Sequence, residues 1–201
     1  MPTAEQIEEF LKEHIFPELE KGRAGFDMPH TQAVVFYLKE ILNNSPSINV
    51  DNIVLLIAAY AHDWGYADLF TQGKPINYEE VKNAKKLHME LGVQKIHSLL
   101  KDPFFSFITT EQKERIIHLV GIHDKLVELK EIDELVLMEA DTLGGLDIKL
   151  ITPFKDKESN IKYIEGVKAK RVPLFITEFG KSKVEELIKK REQYASQLQH
   201  D

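Results

Sequence analysis

Ile53-Val54-Leu55-Leu56-Ile57-Ala58-Ala59-Tyr60-Ala61-His62-Asp63-Trp64-Gly65 is the stretch on which the fold turns. From Ile53 to Ala61 it is uncharged and almost wholly apolar, without glycine or proline, as expected of a helix that is hydrophobic nearly all round and therefore central. It is far too short to span a bilayer. An imidazole and a carboxylate close this apolar wall, and a buried Asp is strongly penalised unless it meets a cation or several donors. A metal satisfies both residues, because a neutral imidazole nitrogen and a carboxylate oxygen are good ligands for divalent first-row ions. A hydrogen-bonded His–Asp pair at a helix end is the competing explanation of these two residues alone.

Outward from this helix (51–63), apolar positions three or four apart recur over 4–20, 29–43, 77–100, 110–122 and 131–144, and again over 181–198. Asn43-Asn44-Ser45-Pro46, Gly73-Lys74-Pro75, Asp102-Pro103, Gly144-Gly145 and Pro173 fall between the periodic segments, and Asp51 and Asn77 are expected N-caps. The β-branched runs are short and lack hairpin turns, so the expected fold class is all-α, a compact helical bundle. At 201 residues the chain is expected to form one domain over 1–201, with a core over about 26–180 and a last helix over 181–198. The polar, lysine-bearing stretch 151–160 reads as a loop near a site or surface.

Other helices carry polar residues on their inward stripes. His30 shares a face with Val34, Tyr37 and Ile41; His88 lines up with Ala84, Leu91 and Gly92, and Gly92 leaves room for a close approach. His123 follows Ile116, Val120 and Gly121 and is favoured over His118 as the inward one; Asp141 closes an apolar run, Leu135–Met138 and then Ala140. Each alone is more often a satisfied core residue. Five helices each bearing an inward His or Asp are economically explained by convergence on a cation, so the expected metal ligands are His30, His62, Asp63, His88, His123 and Asp141. No cysteine is present, which restricts any metal to nitrogen and oxygen ligands.

The composition, 43% hydrophobic and 29% charged, is that of a globular protein rather than a disordered one. With a net charge of −7 and no Lys/Arg block, extended nucleic-acid binding is not expected. The acidic, amphipathic N-terminus does not read as a secretory signal, and a cytoplasmic protein without membrane partners is expected.

The order His30, His62-Asp63, His88, His123, Asp141 resembles the HD-domain superfamily of metal-dependent phosphohydrolases, over roughly residues 26–180. The resemblance implies that His30, His62, Asp63 and Asp141 bind one metal, while His88 and His123 add a second with Asp63 bridging. His88-Met-Glu-Leu-Gly92 is similar to the histidine-then-glycine spacing of two-metal members. Asp27-Met-Pro-His30-Thr-Gln-Ala33-Val34 is similar to the Asp-x-x-His-x-x-Arg-Val entry of small HD nucleotide hydrolases, with Ala33 where Arg is usual. Arg171-Val-Pro-Leu-Phe-Ile-Thr177 through Gly180 resembles the closing element of several small bacterial HD proteins. There is no Gly-Tyr-Pro signature, and Tyr66 stands where cyclic-dinucleotide phosphodiesterases carry Lys, so that turnover is not expected.

The resemblance therefore implies one or two divalent ions (iron, manganese, magnesium, cobalt, nickel or zinc) and hydrolysis of a nucleotide or other small phosphoester by a metal-activated water. Lys85 and Lys125 are candidates for a substrate phosphate, but each also reads as a solvated lysine and neither enters the expected site. The alternatives are a di-iron oxygenase of the same superfamily and a non-catalytic, metal-stabilised sensing domain.

Overall fold

A computed structural model describes residues 2–23, 25–70 and 77–198; Gly73-Lys74-Pro75 lies outside the described residues. It contains the α-helices α1 (Ala4–Leu19), α2 (Asp27–Asn44), α3 (Asn52–Ala61), α4 (Tyr78–Leu99), α5 (Thr110–Ile122), α6 (Ile132–Leu146), α7 (Lys157–Gly166) and α8 (Glu178–Gln197). Among the described residues there is no strand, and no helix is long and apolar enough to cross a membrane.

The apolar helix α3 is the centre, buried at every position from Val54 to Ala61 and packed against α1, α2, α5 and α6. Asp51 begins it as the N-cap, accepting from the Ile53 and Val54 N–H groups, and Asn77 starts α4 through a capping box with Glu80. Both caps stand where the sequence put them.

Two close approaches set how the elements meet. A Cβ on Gly144 would lie 2.9 Å from the Val34 backbone nitrogen, so α2 and α6 pack nearly backbone to backbone. Ala33 is buried in the same contact, its carbonyl carbon 3.2 Å from that point. A Cβ on Gly65 would lie 1.9 Å from the His88 carbonyl oxygen, so the 3-10 turn Trp64–Asp68 sits directly on α4. Gly92 lines that same contact, 3.7 Å from the Gly65 nitrogen by the same measure.

The C-terminal third differs from the sequence expectation. Helix α7 begins at Lys157, inside the segment expected to be a loop, because Asp156 caps it through the Ser159 N–H and the Asn160 amide bonds the Phe154 and Asp156 carbonyls. Helix α8 begins at Glu178, three residues early, because Thr177 caps it by accepting from the Gly180 N–H. Buried Glu139 of α6 accepts from the backbone N–H groups of Ile176 and Thr177 and from the Thr177 hydroxyl, tying α6 to the start of α8.

Candidate metal centre

The six expected residues come together at one place. His30 projects from α2, His88 from α4 and Asp141 from α6, whereas His62 and His123 occupy the C-cap positions of α3 and α5, with Asp63 following His62. Their donor atoms form two groups that could hold a metal ion, His30 with His62 and Asp141, and Asp63 with His88 and His123; within each the atoms lie within 4.8 Å of one another.

Asp63 joins the groups. Its Oδ2 lies 3.5 Å from His30 Nε2 and 3.7 Å from His62 Nε2, and its Oδ1 lies 3.4 Å from His88 Nε2 and 3.5 Å from His123 Nε2. Asp141 Oδ1 closes the first group, 3.1 Å from His30 Nε2 and 3.8 Å from His62 Nε2. All four imidazoles thus turn Nε2 inward, with Nε2–Nε2 separations of 3.3 Å (His30 and His62) and 3.1 Å (His88 and His123).

The helix ends explain this orientation. His62 Nδ1 donates to the Ala59 carbonyl at 2.8 Å and His123 Nδ1 to the Val120 carbonyl at 2.9 Å; a proton on Nδ1 leaves the Nε2 lone pair facing the centre. His30 and His88 are held by their ring faces instead: His30 stacks on Phe26 and His88 on Tyr66, with centroids 5.2 Å and 4.0 Å apart. Burial drives the His62 pKa down and that of His88 to about 3, despite Asp63 beside them, so both rings stay neutral as ligation requires. For Asp63 burial opposes ionisation, but His62, His123 and Arg23 outweigh it and hold the carboxyl well below its usual range. Burial likewise opposes ionisation of Asp141, which Arg171, His30 and His62 overcome. For His123 burial also favours the neutral ring, but the hydrogen bond to Asp63 and the charges of Asp124 and Asp141 outweigh it and raise the pKa. Four imidazoles around two ionised carboxylates form a donor set suited to divalent cations.

The cluster opens into a cavity of about 480 Å³. Tyr78, Phe154 and Tyr163 form an aromatic wall with mutual centroid distances of 6.2 to 6.4 Å, and Lys82, Lys125 and Lys170 are exposed lining residues. Lys85 reaches Asp124 at 2.8 Å, and Lys125 lines the cavity without entering the cluster. His118 is turned away, its half-exposed ring on Glu134 at 2.7 Å.

Sequence reasoning missed the arginines. Arg23 pairs with Asp27 and, at 2.8 Å, with Asp63 Oδ2, while its guanidinium lies 3.9 Å from the Tyr66 ring centroid. Arg171 pairs with Asp141 Oδ2 at 2.7 Å and with Asp124. The signals were indirect: Asp27 three residues before His30, Asp124 directly after His123, and Arg171 at the head of the segment that resembles the family's closing element.

The model of the HD domain matches residues 28–150, which include all six cluster residues. The chain belongs to the HD-domain family. Members of this HD family are typically metal-dependent phosphohydrolases, and the paired His/Asp groups are consistent with that. Arg23, Arg171 and Arg191 lie outside the matched HD span. No curated protein and no solved structure matches the chain.

Proposed function

We propose that this chain is a phosphohydrolase that acts on a small phosphoester, with two divalent ions held by His30, His62, Asp63, His88, His123 and Asp141. The observation that carries this reading is Asp63, whose two oxygens face one histidine pair each. A single carboxylate shared between two histidine pairs is the arrangement a pair of cations would need.

Divalent ions bound there would supply a water of lowered pKa and positive charge for the phosphoryl oxygens. The chain's own residues do the rest. Arg23 and Arg171 brace Asp63 and Asp141 from the side of the cavity and fix the direction of their inner oxygens. Lys85, partly exposed beside Asp124, presents an ammonium to an entering phosphate, and the aromatic wall excludes water and takes an apolar or ring portion of the substrate. No serine or cysteine nucleophile is needed, because phosphoryl transfer depends on positioning and electrostatic stabilisation.

The test is an elemental metal count on protein purified with and without air, paired with a panel of nucleotides and phosphomonoesters under manganese, magnesium, cobalt and iron. Metal-dependent phosphate release is expected. Oxygen consumption by a reduced di-iron form, with no phosphate released from any compound, would replace the hydrolase with an oxygenase.

A further inference from the structure

Three guanidinium groups line the cavity, and they are not alike. Arg23 and Arg171 are each matched by two carboxylates, which outweigh the effect of burial and raise their pKa values. Arg191, from α8, is 1% exposed and has no carboxylate partner among the described residues. Its Nε donates to Asn160 Oδ1 at 2.8 Å and its Nη1 to the Gly145 carbonyl at 3.4 Å; Nη2 has no hydrogen-bond partner among the described residues. The Tyr163 ring lies 5.4 Å from its central carbon, and burial pushes its pKa down, the reverse of the other two.

A buried cation without a counter-ion is costly, and a helix tether would need no charge. Arginine presents five donors in a planar fork that fits a phosphate or a carboxylate, and here two of the three nitrogens are engaged by neutral oxygens. The position is also informative. Gly145 follows Asp141 by about one helical turn on α6, about 6 Å along the axis, and a Cβ there would lie 3.7 Å from His30 Cε1, so Arg191 meets α6 one turn past Asp141 and beside the His30 ring. Tyr163 lies at the same point, its hydroxyl oxygen being the atom nearest to a Cβ on Gly145.

We propose that Arg191 is a subsite for a second anionic group of the substrate, a phosphate or a carboxylate set about one helical turn from the phosphoryl group at the cluster. This assignment rests on the reading of the cluster as a phosphohydrolase site. It narrows the substrate class from phosphoesters in general to those with two anionic ends.

The test uses three non-hydrolysable probes of matched length, with binding to the manganese-loaded full chain followed by calorimetry. Propylphosphonate carries one anionic end, 3-phosphonopropionate adds a carboxylate, and propane-1,3-diphosphonate adds a second phosphonate. The wild type should bind at least one two-ended probe roughly tenfold more tightly than propylphosphonate, and whichever is preferred distinguishes carboxylate from phosphate. In Arg191→Gln that ratio should fall to about one, and Arg191→Lys, which keeps charge but loses the fork, should fall between; Arg191→Lys alone decides if the Gln variant fails to fold by circular dichroism. Equal affinity of the wild type for one-ended and two-ended probes overturns the subsite, as does a preference that survives in the folded variants. A two-ended preference without hydrolysis of any phosphoester overturns the hydrolase reading and leaves the anion subsite standing.

Discussion

Among individual residues, Asp63 carries the most. Because its two oxygens serve the two halves of the cluster, Asp63→Ala should lose both ions and all metal-dependent phosphate release, whereas His88→Ala should lose chiefly one ion, as read by elemental analysis. Equal metal content in wild type and Asp63→Ala would contradict the ligand role. Gly65 is the second such position, since a methyl group there runs into the His88 carbonyl. Gly65→Ala should cost at least about 2 kcal/mol in urea denaturation and weaken metal retention, because relief requires α4 to withdraw and take His88 with it. The six cluster residues were legible in the sequence because each interrupts an apolar stripe, where a polar side chain has no other partner in view. Arg23, Asp124 and Arg171 were not, because a charged residue beside a helix end is ordinarily solvated, and only the folded chain shows them paired inside a cavity.

For whole elements, the periodic helices were found within a few residues, since their inward faces repeat at 3.6 residues and their caps are local chemistry. Helix α7 escaped because it is short, capped by Asp156 and steadied by Asn160, and only its contacts with α8 and α4 make it worthwhile. The junction of α5 and α6 yields a pH prediction. Glu134 is 3% exposed; burial opposes its ionisation, but the Lys130 and Glu131 N–H groups, His118 and Arg115 together hold its pKa at about 2 against an ordinary 4.5. A carboxyl with a depressed folded-state pKa stabilises the fold above its unfolded value, so this contribution is full above pH 4.5 and is lost as pH falls from there through about 2. Glu134→Gln should therefore be less stable than wild type by roughly 1–3 kcal/mol at neutral pH, after allowance for solvent screening at the partly exposed Arg115 and half-exposed His118, and the difference should shrink on acidification. Denaturation curves of both proteins across the acid range check this; a gap independent of pH would assign the loss to packing.

At the scale of the whole molecule, the cluster draws side chains from α2, α4 and α6 and from the ends of α3 and α5, so bound cations would hold five helices to one point. Binding to the folded state alone adds about 2.7 kcal/mol when the free ion is a hundredfold above its dissociation constant, which for a chain of this length corresponds to roughly 5–10 °C in Tm. Chelation should lower the calorimetric Tm by that order, readdition of metal should restore it, and Asp63→Ala should show no response to either. By itself the sequence determined that the protein is helical, that Ile53–Ala61 is its centre, and which imidazoles and carboxylates face inward, because periodicity and capping are local properties of neighbouring residues. The folded chain alone shows that Asp63 divides its oxygens between two histidine pairs, that the space beside Gly65 is taken by α4, and that Arg191 lines the cavity with no carboxylate partner among the described residues. Those facts are distances between residues remote in the chain, and no local preference encodes them.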